Sequence, residues 1–286
     1  MHDPKQDPVL PPLALSVQHR WHHQIFFYPG YVLALGSLAD QTEHRHLALE
    51  LAIALDGDLL ISDRRGTRIG HQCLFAAGAP HRLRANGRVA ALWVDPAWRR
   101  FGAMAPEAGD LTPAEYRRLV HMFRTLDRSE ATARQVAEII DLWVSARLGG
   151  LADAPALDER IATALDLIHV DDVPRTDRYR LAAEVGLSPS RFAALFAQDV
   201  GVSVRGYLIW RRLIQAVRCL CQGASVTSAA QETGFADAAH LSRLYRQTFG
   251  SSPSLLLTSR TVVSEYHPAR LVAAEKFSTS AGDSSR

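Results

Sequence analysis

Hydrophobic positions change their period along this chain. From His19 to Pro96 the apolar residues come in short runs: Gln24–Tyr28, Tyr31–Leu35, His46–Leu55, Asp58–Ile61, Gln72–Phe75 and Val89–Val94. Pro29-Gly30, Asp56-Gly57 and Asn86-Gly87 punctuate them, so the pattern predicts an antiparallel β-barrel or sandwich. In the longest run, Leu47, Leu49, Leu51, Ile53 and Leu55 share one face. His44, His46, Ala48, Glu50, Ala52 and Ala54 share the other, a candidate cavity wall of small residues ending in polar ones. Further on the period becomes helical. Thr112-Pro113-Ala114-Glu115 reads as a capping box opening a helix over Pro113–Leu126. A second helix is expected over Glu130–Leu148, with Val136, Ile139, Ile140, Trp143 and Val144 as its wide apolar stripe. Gly149–Ala156 reads as a linker, and Leu157–His169 as a further helix.

The stretch from Tyr179 to Pro253 is written twice. Ala182, Gly186, Phe192, Leu195, Phe196 and Gly201 return as Ala230, Gly234, Leu241, Leu244, Tyr245 and Gly250, offset by 48 residues for the Ala and Gly pair and 49 for the rest. A fixed period means two copies of one supersecondary unit. Each unit has a short helix that stops at a glycine able to cap it, then a turn and a second helix. In the first copy Ser188 is the expected N-cap and Pro189 the first helical residue; in the second, Asp237 is the N-cap. Phe192, Leu195 and Phe196, and Leu241, Leu244 and Tyr245, form the buried stripes. The pattern is that of a helix-turn-helix, whose second helix enters the major groove of DNA.

Between the copies, Ser203–Cys221 reads as one helix, roughly 28 Å long at 1.5 Å per residue. It would hold the two reading heads near the spacing of about 34 Å between successive major-groove faces. Arg205, Arg211, Arg212 and Arg218 on its other face suit phosphate contact. The groove-facing candidates are Ser188, Ser190, Arg191, Ala194 and Ala197 on the first reading helix, and Ala238, Ala239, Ser242, Arg243, Arg246 and Gln247 on the second. Arginine takes guanine O6 and N7 bidentately, so Arg191 and Arg243 are the expected base readers; Arg246 suits base or phosphate equally. Ala194 and Ala197 leave the first head to read weakly or by DNA shape.

LAAEVGLSPSRFAALF (181–196), the Arg212–Leu220 segment and GFADAAHLSRLYRQTFGSSP (234–253) together resemble the tandem helix-turn-helix module of the AraC/XylS family of bacterial transcription regulators. The likeness covers about a hundred residues. The N-terminal part resembles a cupin, a sensor domain many members of that family carry. Its marks are Gly36, His44-x-His46-x3-Glu50-x6-Gly57 and Gly70-x5-Ala76-x-Gly78-x2-His81. In metal-binding cupins the corresponding three histidines and glutamate hold a divalent ion, a sensible ligand set. This chain departs from the pattern: Ala76 stands where a proline is usual, and Gly36 lies two residues further from the first histidine. On a straight strand Glu50 would sit roughly 13 Å beyond His46, so coordination requires a bend there. Two readings stay open for His44, His46, Glu50 and His81: a metal site, or an effector-pocket lining without metal. His22, His23 and His71 would join such a site or be ordinary strand histidines. The resemblance also implies that the helical pair after the barrel dimerises; packing on its own barrel is the alternative.

Composition narrows the picture. The chain has 286 residues with 47% hydrophobic content, enough for two cores. Its net charge is only +2, but Val173–Arg260 carries eleven arginines against five acids. Cys73, Cys219 and Cys221 show no CxxC spacing and fit a reduced cytoplasm. No signal peptide or membrane-length apolar run is seen.

The expected fold class is α+β in two domains. The chain divides into a flexible tail (1–18), a cupin-like antiparallel β-barrel that binds an effector (19–105), a helical dimerisation and linker region (106–150), an all-α tandem helix-turn-helix module (155–260) and a mostly disordered tail (261–286). The function implied is a cytoplasmic, homodimeric, effector-responsive regulator. It would bind double-stranded promoter DNA and activate by recruiting RNA polymerase, with repression as the other sign. No catalytic residues and no required cofactor are assigned, and a divalent metal in the barrel is a candidate. The competing class is a metal-dependent cupin enzyme with the DNA module appended. A third reading is a ligand-independent regulator whose barrel only dimerises.

Overall fold

The computed structural model describes residues 22–28, 30–38, 41–97, 111–128, 157–170, 176–258 and 260–265. The expected tail 1–18, the helix over Glu130–Leu148 and the linker 149–156 lie outside these residues.

The N-terminal half consists of β1 (His22–Tyr28), β2 (Tyr31–Ser37), β3 (Leu49–Ala54), β4 (Leu59–Asp63), β5 (Gly66–Gly70), β6 (Gln72–Phe75), β7 (His81–Ala85) and β8 (Arg88–Val94). A ninth strand, β9 (Arg260–Glu265), follows the helices and returns to pair in parallel with β1. The strands form two sheets, ordered β6-β3-β8-β2-β1-β9 and β5-β4-β7. This corrects the expected barrel: neither sheet closes. Residues 261–265, within the expected tail, belong to this edge strand. β5 and β7 escaped the hydrophobic pattern because GTRIG and HRLRA are polar edge strands beside β4.

The two-residue period of β3 divides the core as expected. Leu51, Ile53 and Leu55 join Phe26, Leu33, Leu35 and Leu92 on one face of the large sheet. There they meet Leu119, Val120 and Phe123 of α1 (Pro113–Arg128). The capping box of α1 forms: Thr112 N–H donates to Glu115 Oε2 at 2.7 Å, and Glu115 N–H to Thr112 Oγ1 at 3.3 Å. Thus the apolar side of α1 is spent on its own sheet. On the opposite face Ala52 and Ala54 pack against Leu59, Ile61 and Leu83 of the small sheet, so these alanines wall a core instead of a cavity.

The C-terminal half is helical: α2 (Glu159–Val170), α3 (Arg178–Glu184), α4 (Pro189–Val200), α5 (Val204–Cys221), α6 (Val226–Glu232), α7 (Ala238–Phe249) and α8 (Ser254–Thr258). The chain makes two right copies of one unit, α3-α4 and α6-α7, joined by α5. Ser188 and Asp237 cap their helices as expected, accepting from Arg191 N–H and His240 N–H. The two halves share one core. Ile25, Phe27, Val32 and Ala48 of the strand half pack in the same cluster as Trp210, Leu213 and Val217 of α5 and Phe249 of α7. Asp95, at the end of β8, accepts from Trp210 Nε1 at 3.2 Å and faces Arg211 Nη1 at 3.5 Å. Among the described residues no helix is long and apolar enough to cross a membrane.

Candidate functional site

The reading helices α4 and α7 each bury one stripe and expose the other. Phe192, Leu195 and Phe196 are buried in α4, as are Leu241, Tyr245 and Phe249 in α7. Ser188, Ser190, Arg191 and Ala194 are exposed at the first head, and Arg243, Arg246 and Gln247 at the second, while Ala238 and Ser242 are half-buried. Local capping plus amphipathic period therefore leaves the expected basic and small residues on the outer side.

The arginines of α5 are placed differently from expectation. Arg211 is half-buried against Asp95, and Arg212 Nη2 donates to the Thr176 carbonyl at 3.3 Å. Arg218 lies 5.0 Å from the ring centroid of Phe27. Of the four, Arg205 alone is exposed. Arg211 and Arg212, both half-buried, thus brace α5 against Asp95 and Thr176.

His44, His46, Glu50 and His81 come together. One ligand atom from each lies within 4.8 Å of the others, and all four are buried. The bend that coordination requires is present: β3 begins only at Leu49, so 44–48 is free to turn the histidines back toward Glu50. His46 Nε2 and His81 Nε2 reach the same Glu50 oxygen at 2.7 and 3.0 Å. The far nitrogen of each ring is held by a backbone carbonyl. Nδ1 of His44, His46 and His81 lies 3.0, 2.9 and 2.8 Å from the carbonyls of Thr42, Ala48 and Ala79. A carbonyl can only accept, so these bonds place the proton on Nδ1 and turn Nε2 inward as a donor atom for metal.

Without an ion, Nε2–H of His46 and of His81 donates to the Glu50 carboxylate, and a metal would have to displace those protons. Burial, aided by the neighbouring His81, pushes His44 down to about 4, leaving its ring neutral. Burial opposes the charge on Glu50, but hydrogen bonds from His46 and His81 outweigh it and hold the carboxyl well below its ordinary range. Burial likewise opposes a charged His81, and the Glu50 carboxylate overcomes it, raising His81. Glu50 Oε1 is buried with no hydrogen-bond partner. A carboxylate oxygen left unpaired in such a place is costly, unless a cation takes it. Three inward Nε2 atoms and a carboxylate are a donor set for a divalent first-row metal. His71 stands apart, beside Asp58 at 3.3 Å.

A cavity of about 240 Å³ lies elsewhere, between the large sheet and the helices. Ile25, Val32, Ala34, Ala91 and Trp93 wall it on the strand side, and Val217, Tyr245 and Phe249 on the helix side. Its edge carries Gln41, whose Oε1 is buried without a partner, and the Nε1 of Trp93 is likewise unpaired. The expected effector-pocket residues His44, His46, Glu50 and His81 do not line it. Packing of two sheets filled the strand half's interior and left the open space between halves. Tyr245, Phe249, Trp93 and Gln41 were missed because only the meeting of distant segments makes them a wall.

Cys73, Cys219 and Cys221 form no disulfide. Burial pushes the Cys219 thiol up to about 11, with Glu232 adding to the effect, and burial pushes Cys221 up to about 12. Cys219 and Cys221 are thus protonated packing residues, not nucleophiles.

Residues 181–259 match a helix-turn-helix domain family. Over 125 residues the chain is 33% identical to the transcriptional activator NphR of Rhodococcus, spanning 41% of this chain and 36% of that protein. It is 33% identical over 103 residues to the arabinose operon regulatory protein of Escherichia coli, 35% of each. The chain thus spans little more than a third of the curated relatives it matches. The fold resembles ToxT from Vibrio cholerae with a TM-score of 0.52 at 11% identity, over 80% of this chain and 97% of that one. The repeated units from α3 to α7 are therefore a tandem helix-turn-helix of the DNA-binding class. By sequence, residues 181–259 are a helix-turn-helix domain of the AraC type.

Proposed function

We propose that this chain is a sequence-specific, DNA-binding transcription regulator whose strand half senses an effector. The reading rests on one observation: two capped helix-turn-helix units joined by α5, with Arg191 and Arg243 exposed on their reading helices. The strand half (19–105) acts as the sensor, the region 106–150 dimerises two copies through surface other than the sheet-packed side of α1, and 155–260 binds duplex DNA. Activation through RNA polymerase in the cytoplasm follows the relatives, which are named as activators or operon regulators.

The effector belongs in the cavity between the halves. Its wall is apolar, and Gln41 Oε1 and Trp93 Nε1 offer one acceptor and one donor, so a compact apolar molecule with a single hydrogen-bonding group fits. ToxT has been solved bound to (E)-4-(8-methylnaphthalen-1-yl)but-3-enoic acid. Among the described residues the cavity lining has no lysine or arginine, which favours a neutral ligand over an acid. Because Tyr245 and Phe249 are shared by the cavity wall and the reading helix α7, occupancy would shift that helix.

The test is anisotropy with the full chain on a duplex selected from a random library. Arg243→Ala weakens the selected duplex by about 1–3 kcal/mol and relaxes one base position. An equal loss on all sequences would make Arg243 a phosphate contact, and no loss would remove α7 as a reader.

The buried three-histidine, one-glutamate cluster favours a second reading, the metal-dependent enzyme. A metal there would act as a Lewis acid or hold structure. All four donors are at most 5% exposed, a burial that suits a holding site better than one that admits substrate. Loss of metal and turnover together in His46→Ala would favour the enzyme.

A further inference from the structure

The metal-ligand cluster and the second reading helix are joined through one short segment. Residues 41–46 lie outside the regular strands and end in the ligands His44 and His46. Thr42 N–H and Thr42 Oγ1 both donate to the Gly250 carbonyl, at 2.8 and 3.1 Å. Arg45 N–H donates to the Gln247 carbonyl at 3.2 Å. Those carbonyls belong to the C-terminal turn of α7 and its cap, where a helix leaves its acceptors without intrahelical partners. The ligand segment is therefore the cap of the reading helix.

The approach is close enough that a side chain does not fit. A Cβ on Gly250 would lie 2.6 Å from His44 Nδ1 and 2.6 Å from the Thr42 carbonyl. The corresponding Gly201 of the first unit has no heavy atom within 4 Å of the same position. Within the cluster, His46 and His81 are tied to Glu50 directly, whereas His44 touches it through ring contact with His81 at 4.2 Å. His44, whose backbone pairs with His81, is thus the one ligand whose ring makes no bond to Glu50, and it lies two residues from Thr42 and one from Arg45.

We propose that a divalent transition metal held by His44, His46, Glu50 and His81 is a signal that locks the capping segment 41–46 onto α7 and so sets the second DNA-reading head. This rests on reading the cluster as a metal site. In the locked arrangement Arg243, Arg246 and Gln247 stay exposed, so locking favours the DNA-competent position. Metal and DNA then raise each other's affinity, as linkage requires.

The test uses the full-length chain, zinc ion measured by competition with a chromophoric chelator, and the selected duplex. One zinc per chain is expected, lost in His44→Gln, with duplex affinity raised at least about fivefold by zinc, the low end of ordinary coupling. Gly250→Ala weakens zinc binding severalfold while Gly201→Ala leaves it unchanged. Thr42→Val, which removes only the exposed hydroxyl bond to Gly250, gives a smaller shift in the same direction and serves should Gly250→Ala not fold. Zinc bound at the cluster with duplex affinity unchanged, and zinc affinity indifferent to Gly250 and Thr42, overturns the coupling and leaves the metal reading standing. No zinc bound, or equal binding by His44→Gln, overturns the metal reading itself.

Discussion

The two helix-turn-helix units are built from the same local code and meet different surroundings. Each reading helix starts at a side-chain cap and ends at a left-handed glycine, Gly201 with φ 78° and Gly250 with φ 68°. The first unit packs on α2, where Asp199 accepts from Asp158 N–H at 2.9 Å. The second leans on both halves, with Phe249 against Trp93 of β8 and Trp210 of α5 at ring-centroid distances of 5.9 and 6.2 Å. One head is held within the helical half, the other also by the strand half. A duplicated motif thereby has one reader packed within the helical half and one that also packs on the strand half, the one proposed above to respond to a ligand or metal.

The largest contrast should come from the residues ending the two reading helices. Phe249→Ala costs about 3–5 kcal/mol, as for other buried phenylalanines. Val200→Ala, at the matching place in the first unit, costs roughly 2 kcal/mol from the smaller area lost. Urea denaturation measures both, and equal losses would break the comparison. Next come the glycines. Gly201→Ala costs about 1–2 kcal/mol for a left-handed alanine. Gly250→Ala adds roughly 1 kcal/mol for each hydrogen bond from Thr42 that it displaces, read in the same assay. On DNA, Arg191→Ala and Arg243→Ala each weaken the selected duplex, by about 1–3 kcal/mol at most. The loss is smaller at Arg191, since Ala194 beside it offers the first helix little else to read with; titration on single-base variants decides this. The smallest effects sharpen the point from the other side. Ser188→Ala and Asp237→Ala each cost about 1 kcal/mol of stability, alike in the two units because capping is local.

Much of this was legible in the residues. The repeat, its caps, the amphipathic stripes and the exposed faces of α4 and α7 are all set within a few residues, so their pattern suffices. His44, His46, Glu50 and His81 were also legible as a set, and the bend at 44–48 that brings them together was readable as a requirement. β5 and β7 were hidden because edge strands need little apolar alternation. β9 was hidden because a short strand is stabilised by the edge of β1, almost 240 residues away. Arg211, Arg212 and Arg218 look like a phosphate stripe on an isolated helix. Only the presence of Asp95, Thr176 and Phe27 beside α5 turns them inward.

The sequence by itself determined the two reading units and the chemistry of their outer faces, since helix period, capping and glycine ends act over single turns. The tertiary structure decided that the sheets stay open, that the cavity lies between the halves, and that Thr42 caps α7 beside the histidine cluster. Those features depend on surfaces brought together from distant parts of the chain, where packing and hydrogen-bond satisfaction, not local preference, choose the partner.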